Sequence, residues 1–387
     1  MRISVFCEPG FEPRVSASVE TLKRLAGLGG EVVVASGAGV ASGVSDADYA
    51  AAGARIAADN VSAGAGAEIV LAVRRPVAAD LAQVAPGALV IAIADPYGNE
   101  AALDEIAGTG VSLFAMELMP RITRAQVMDV LSSQANLAGY RAVVDAAGEF
   151  GRAFPMMMTA AGTVPAARVF VMGAGVAGLQ AIATARRLGA VVSATDVRPA
   201  AKEQVESLGG KFIAVEDEEF KQAETAGGYA KAMSAEYQAK QAALVASHIA
   251  KQDIVITTAL IPGRAAPKLL SAEMVASMKA GSVIVDLAVE RGGNVEGSVA
   301  GEVVTTANGV KVVGHLNVPG RLAATASQLY AKNLYAFVET LVDKGTKALA
   351  VKWDDELVKA TLLTRGGAVV HPGFGGKVEE AGAPAAA

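Results

Sequence analysis

Residues 168–198 read RVFVMGAGVAGLQAIATARRLGAVVSATDVR, and this stretch decides the fold. Val169, Phe170, Val171 and Met172 form a short apolar run of the kind that fills a parallel strand buried on both faces. Gly173, Gly175 and Gly178 follow as G-x-G-x-x-G, with Ala174, Val176 and Ala177 between them. Residues 179–188 continue without a helix breaker, Gly189 stops the helix, and 190–194 read as a second strand that leads into Asp196. Each glycine has a task. Gly173 makes the turn, Gly175 lets backbone approach a pyrophosphate, and Gly178 lets the helix pack on the strand. The helix N-terminus offers free N–H groups and a partial positive charge to phosphates. Asp196 stands where an acid accepts bonds from both hydroxyls of an adenosine ribose, and its charge repels a 2′-phosphate. The expected ligand is therefore NAD(H) rather than NADP(H). Gly173–Gly178 would form its phosphate loop, and Asp196 with Val197 would meet its ribose. Arg198 either contacts the adenine or a phosphate or is solvated.

Working outward, 387 residues suggest two domains, each able to bury its own core. The net charge of -5, from 34 basic and 39 acidic residues, leaves no electrostatic footprint for nucleic acid. A single cysteine, Cys7, allows no intrachain disulfide and fits a reducing compartment. The first ten residues, MRISVFCEPG, turn polar too soon for a signal peptide and read as a first strand. The longest uncharged run, residues 169–185, contains the three loop glycines and is a cofactor strand and helix rather than a membrane span. Three histidines and one cysteine without ligand spacing predict no metal site.

The first third alternates strands and helices. Strands are expected at 3–6, 31–35, 69–73, 88–93 and 111–115, and helices at 16–28 and 46–52; no G-x-G-x-x-G follows any of these strands. A long helix is expected over 121–150, with Thr123 and Gln126 as a capping box at its start. Strands return at 212–215, 253–257, 282–287 and 312–314, and a helix at 323–341 carries the chain back to the first domain. The polar stretch 224–241, with Gly227, Gly228 and Tyr229, reads as a hinged lid or a solvated helix. His315 and Asn317 follow a strand and so lie at the ligand-facing edge of the sheet, as ligand contacts or as structural residues. The fold class is α/β: two Rossmann-like domains, doubly wound parallel sheets separated by a cleft, the first discontinuous. Its expected bounds are 1–130 plus 322–380 for the first domain and 131–321 for the second, with a mobile tail over 373–387.

Several longer stretches carry a resemblance. RITRAQVMDVLSSQANLAGYRAV (121–143), AFPMMMTAAGTVPAARV (153–169), TALIPGRAAPKL (258–269), DLAVERGG (286–293) and GHLNVPGR (314–321), together with the glycine loop, resemble the NAD(H)-binding subunit of proton-translocating nicotinamide nucleotide transhydrogenases in their bacterial split-subunit form. That family is related to alanine dehydrogenase. The resemblance implies that the chain binds NADH and passes a hydride directly to NADP+ held by a partner subunit, coupled to proton translocation by membrane-spanning subunits. It implies a homodimer, cytoplasmic and peripheral on the inner face of the cell membrane through those partners. Near the nicotinamide it implies Arg121, Gln126, Asp129 and Ser132, and it extends the cofactor contacts to Tyr229 and Leu260. An amide such as Gln126 both donates to and accepts from a carboxamide, and Arg121 offers a planar fork that Asp129 could hold.

Two other readings compete. An alanine dehydrogenase needs a cation for the substrate carboxylate and an acid/base group at the α-carbon. In that family these are a lysine after an early strand and a histidine after a later one. The matching segments here are LAVRRP (71–76) and IAIADPYG (91–98): Arg74 or Arg75 could bind a carboxylate, but no histidine precedes His248, and the family's aspartate in the DLAV…GG segment is Glu290. The other reading is an NAD-sensing module without chemistry, which would need no nicotinamide-end residues.

Overall fold

The computed structural model describes residues 1–222 and 233–376. Two compact units divide the chain, one formed by Met1–Gln134 with the chain from Gly320 onward, the other by Ala135–Pro319. The first domain is thus discontinuous.

Six parallel strands build the first unit: β1 (Arg2–Val5), β2 (Glu31–Ala35), β3 (Arg55–Ala57), β4 (Ile69–Arg74), β5 (Leu89–Ile93) and β6 (Ser112–Ala115), in the order β3-β2-β1-β4-β5-β6. This is the doubly wound order, and its topological switch point lies between β1 and β4. Successive side chains on a strand point to opposite faces. Accordingly Ile3, Val5, Val32, Val34, Ile69 and Leu71 fill one core. Val33, Ala35, Val70, Ala72 and Val90 fill the core on the other face. Continuous apolar runs are what a sheet covered on both sides requires. The helix Ala323–Thr340 delivers Tyr330, Leu334, Phe337 and Val338 into the first of these cores.

A short exposed hairpin comes next in the chain, β7 (Met157–Thr159) paired antiparallel with β8 (Gly162–Val164). The second sheet contains β9 (Arg168–Met172), β10 (Val191–Thr195), β11 (Lys211–Phe212), β12 (Ile254–Thr257), β13 (Val283–Asp286), β14 (Val303–Thr305) and β15 (Lys311–Val313). Their order is β11-β10-β9-β12-β13-β15-β14, with only β14 antiparallel to its neighbour. Val169, Val171, Val192, Ile254, Ile256 and Val285 face one core. Phe170, Met172, Val255, Ile284 and Val312 face the other. The switch point of this sheet lies between β9 and β12, which places the loop after β9 at the crevice where ligands bind such sheets.

Three expectations change. The helix expected over 121–150 is two elements: a 3-10 turn, Thr123–Met128, and a helix, Val130–Glu149. Asp129 separates them with extended backbone (φ -73, ψ 92), and its carboxylate accepts the backbone N–H of Ser132 at 2.9 Å. It is an N-cap, and a capping carboxylate starts a new helix rather than continuing an old one. The capping box of Thr123 with Gln126 does not form, because the turn begins after Ile122 with no side-chain cap. The helix expected over 16–28 is Val19–Gly27, since Ser18 caps it in a box with Thr21. The lid glycines Gly227 and Gly228, with Tyr229, lie outside the described residues, as do residues 377–387 of the expected tail. Within the polar stretch 224–241 the chain enters a helix, Ala235–Ile249, capped by Ser234.

Candidate dinucleotide site

The loop between β9 and the helix Val176–Arg187 is built from glycines with separate constraints. Gly173 has φ +102, a conformation that side-chain-bearing residues avoid. A Cβ on Gly178 would sit 1.7 Å from the Gly173 carbonyl oxygen, so helix and strand approach too closely for any side chain there. Gly175 has open space: nothing lies within 4 Å of where its Cβ would be. Gly175 is also the N-cap of the helix and has no side chain to satisfy the first N–H groups. Those donors and the helix dipole together favour an anion over the loop. The helix Val130–Glu149 supports it from behind, where a Cβ on Gly139 would fall 2.0 Å from the Ala177 carbonyl oxygen.

Asp196 stands just past the end of β10, its side chain 7% exposed. Its Oδ2 accepts the Ala174 N–H at 2.7 Å, and the Arg198 guanidinium grips the carboxylate, Nε to Oδ1 at 2.9 Å and Nη2 to Oδ2 at 3.1 Å. Nη2 also donates to the Ala174 carbonyl at 3.3 Å. Loop, acid and arginine form one closed hydrogen-bonded ring.

The sheet's other carboxyl ends supply apolar surface. Val176 after β9, Val197 after β10, Leu260 and Ile261 after β12, and Leu316 after β15 are all large and exposed. Exposed apolar side chains gathered at one edge of a sheet mark a binding face. His315 is half-buried in the same segment as Leu316. Asn317 has φ +44, and its backbone N–H donates to the Glu290 carboxylate.

The loop after β12 is tied down by residues that sequence reasoning missed. Thr258 donates its hydroxyl to the Gly173 carbonyl at 3.1 Å. Asn294, fully buried, accepts the Ala259 N–H at 3.0 Å and donates to the carbonyls of Ala259 and Pro267 at 2.9 and 2.8 Å. Asp286 in turn accepts the N–H groups of Asn294 and Val295 at 3.1 and 3.2 Å. The only sequence signal for this was a polar residue after the glycine pair of 286–293. Its partners lie 27 to 35 residues away, beyond any local pattern.

Arg121, Gln126, Asp129 and Ser132 belong to the first unit. The structure brings two of them together. Ser132 donates its hydroxyl to Asp129 at 2.6 Å in addition to its N–H, so Asp129 holds Ser132. Arg121 and Gln126 are exposed on the preceding segment. Asn333, also missed, orders that segment: it donates to the Val127 carbonyl at 2.8 Å and accepts the Ser133 hydroxyl at 2.8 Å. Arg124 forms a bidentate pair with Asp355 at 2.7 and 2.9 Å.

Among the described residues no group of histidine, cysteine, aspartate and glutamate could hold a metal ion. The arrangement offers free N–H donors at a helix N-terminus beside a carboxylate, flanked by exposed apolar side chains.

Residues 5–138 match the N-terminal domain, and residues 142–372 the C-terminal domain, of the family described as alanine dehydrogenase/PNT. An NAD(P) transhydrogenase subunit alpha chain of Rhodospirillum rubrum is 57% identical over 374 residues, spanning 95% of this chain and 97% of that protein. The crystal structure of the transhydrogenase from Sinorhizobium meliloti superposes with a TM-score of 0.87 at 63% identity, covering 96% of this chain and all of that one, 100%. The alanine dehydrogenase of Halomonas elongata is more distant, 30% identical with 93% of this chain and 92% of that protein covered. Both domain matches, in order along nearly the whole sequence, show that the chain belongs to the alanine dehydrogenase/PNT family.

Proposed function

We propose that the chain is the NAD(H)-binding component of a proton-translocating transhydrogenase, donating a hydride from NADH directly to NADP+ held by a partner subunit. The observation that carries this reading is the ring of Ala174, Asp196 and Arg198 beside the uncapped helix at Gly175. It offers one place for a pyrophosphate and one carboxylate for a ribose diol. The names of the nearer relatives supply the reaction class.

Hydride transfer between two nicotinamides needs no protein acid or base. It needs the two C4 atoms held about 3–3.5 Å apart and water kept out. The work of side chains is therefore to bind and orient. Gly173, Ala174, Gly175, Val176, Ala177 and Gly178 would take the pyrophosphate. Asp196, Val197 and Arg198 would take the adenosine, with Leu260, His315 and Asn317 along the same sheet edge; Tyr229, proposed as a further contact, lies outside the described residues. Arg121, Gln126 and Ser132 would orient the carboxamide, and Asp129 would hold Ser132 in place. Proton translocation would belong to membrane-spanning partner subunits; among the described residues of this chain no helix is long and apolar enough to cross a membrane. The chain would then sit on the cytoplasmic side of the membrane through those partners. An alanine dehydrogenase activity is disfavoured by Ile91–Ile93 leading into Ala94, Asp95 and Tyr97 where that chemistry calls for a histidine.

A second copy of the chain is the proposed occupant of the β7–β8 hairpin. Met156, Met157 and Met158 are 62%, 43% and 80% exposed, and Leu188 and Val191 are exposed near Gly189, which packs against Pro155. Such a run of apolar surface on an isolated hairpin calls for a cover. Met157→Asp with Met158→Asp should convert a dimer to a monomer in sedimentation equilibrium; a monomeric unmodified chain, or a dimer that survives both changes, refutes the assignment.

NADH binding tests the reading directly. Titration of the chain with NADH should give saturable nucleotide fluorescence enhancement, and pyruvate with ammonia should cause no oxidation of bound NADH. Oxidation by that pair would favour the dehydrogenase instead.

A further inference from the structure

We propose that Asn333 is a positioning residue for hydride donation: it clamps the backbone on both sides of Asp129 and so fixes Gln126 relative to Ser132. The inference rests on the reading that Arg121, Gln126 and Ser132 orient the nicotinamide. Between the 3-10 turn Thr123–Met128 and the helix Val130–Glu149 the chain leaves helical geometry at Asp129. Such a break ends the regular backbone ladder on one side and restarts it on the other, so groups outside the ladder must set the angle between the two pieces. One buried amide does so here. Asn333 Nδ2 donates to the Val127 carbonyl before the break at 2.8 Å, and its Oδ1 accepts the Ser133 hydroxyl after the break at 2.8 Å. Gln126 and Ser132 are the chain neighbours of the two residues it holds.

The clamp is in turn held from the core of the first unit, to which all of these residues belong. The buried Arg14 guanidinium is gripped by Glu12, Nε to Oε1 and Nη2 to Oε2, both at 2.7 Å, and Glu12 Oε2 also accepts Arg74 Nε at 2.8 Å at the end of β4. Arg14 Nη1 donates to Gln134 Oε1 at 2.8 Å. Gln134 Nε2 donates to the Ser133 hydroxyl at 3.3 Å and to the Ala326 carbonyl at 3.2 Å, which ties it to the helix that carries Asn333. A guanidinium only donates and a main-chain carbonyl only accepts. Gln134 must therefore turn its oxygen to Arg14, and Asn333 its nitrogen to Val127. Every donor points the same way, from the buried cation through Gln134, Ser133 and Asn333 to Val127, and bonds aligned in this sense strengthen one another. Without Asn333 the two pieces flanking Asp129 lose their common partner. The phosphate loop and Asp196 belong to the other unit and keep all their bonds. The loss should therefore fall on the rate of hydride transfer, where a misplacement of about 1 Å can cost about 100-fold, and not on NADH binding.

The experiment follows hydride exchange from NADH to an acetylpyridine analogue of NAD+, with a purified NADP(H)-binding transhydrogenase domain, together with NADH dissociation constants from nucleotide fluorescence. It uses the unmodified full chain, Asn333→Leu, Ser133→Ala, Gln126→Ala and the double variant Gln126→Ala/Asn333→Leu. Asn333→Leu should slow exchange at least about tenfold with NADH affinity unchanged within about twofold. Ser133→Ala, which places the best helix former in the helix, should slow it in the same sense and decides the matter if Asn333→Leu does not fold. Because Asn333 acts through the segment that carries Gln126, the double variant should be no more than about twofold slower than Gln126→Ala alone. Losses that multiply in the double variant, equal losses of rate and NADH affinity, or an unchanged rate in Ser133→Ala overturn the positioning role. An unchanged rate in Gln126→Ala, or no exchange by the unmodified chain, would instead overturn the nicotinamide reading on which it rests.

Discussion

Two alanine substitutions in the same loop should separate packing from ligand contact. At Gly178 the added Cβ would lie 1.7 Å from the Gly173 carbonyl oxygen and 3.4 Å from the Thr258 hydroxyl. To open the first distance to 3.0 Å, helix and strand must part by about 1.3 Å, and the opposing atom is backbone rather than the end of a flexible side chain. Overpacking of this kind costs up to about 3 kcal/mol. Alanine is about 1 kcal/mol better than glycine within a helix. The clash wins, leaving a net loss of about 2 kcal/mol, or roughly 4–8 °C in melting temperature for a unit of this size. At Gly175 nothing lies within 4 Å of the added Cβ, and φ is -75, which any residue adopts. Stability should then stay within about 0.5 kcal/mol of the parent. If a pyrophosphate passes over Gly175, however, the methyl group occupies its path. NADH affinity should fall at least about tenfold, roughly 1.4 kcal/mol. Scanning calorimetry and NADH fluorescence titration read the two effects independently. Gly175→Ala with unaltered NADH affinity would refute the pyrophosphate position, and Gly178→Ala with an unaltered melting temperature would refute the packing argument.

Other expectations concern the first unit. Asp129→Ala removes the N-cap of the helix Val130–Glu149 and should cost about 1 kcal/mol, most of it recovered by Asp129→Ser, as urea unfolding would measure. Gln126→Asn should slow hydride transfer far more than it weakens NADH binding, because the adenosine anchor is untouched; equal losses would remove Gln126 from the nicotinamide end. Glu8 provides a pH test. Burial pushes its carboxyl up to about 7, with nearby Glu12 adding to the rise, against the lowering effect of N–H bonds from Val73 and Arg74. The folded chain then keeps a proton that the unfolded chain releases above its ordinary value of 4.5. This contribution is present at the acid end and is lost as pH rises toward 7. Glu8→Gln should flatten the pH dependence of stability across that window by at most about 3 kcal/mol, and an unchanged slope would show that Glu8 is ionised throughout.

Much of the architecture was legible because buried parallel strands leave a strong trace. The runs at Ile69–Arg74 and Arg168–Met172 are apolar on both faces, and each ends where a turn residue or glycine intervenes. The site's local part was equally legible, since the glycines and Asp196 obey fixed spacing along one strand-helix-strand unit. What escaped was non-local or double in meaning. Asp129 looks like one more polar residue in a helical pattern, yet its side chain turns back onto Ser132 and restarts the helix. The MMMTAAGTV segment stands out as a motif but not as β7 and β8, because three-residue strands give no periodicity to read. Asn294, Thr258 and Asn333 act on backbone 27, 85 and 206 residues away, for Pro267, Gly173 and Val127 respectively. No local pattern encodes such ties. Arg198 was visible, but its grip on Asp196 was not, because an arginine two residues from an acid is as often solvated.

The central claim is hydride donation from NADH bound to this chain, and one measurement addresses it. The full chain is mixed with a purified NADP(H)-binding transhydrogenase domain, and hydride exchange from NADH to an acetylpyridine analogue of NAD+ is followed by absorbance. Exchange that requires the chain, the partner domain and NADP(H) together is the predicted result. Absence of exchange while NADH binds normally would contradict the account and leave a dinucleotide-binding module without this chemistry.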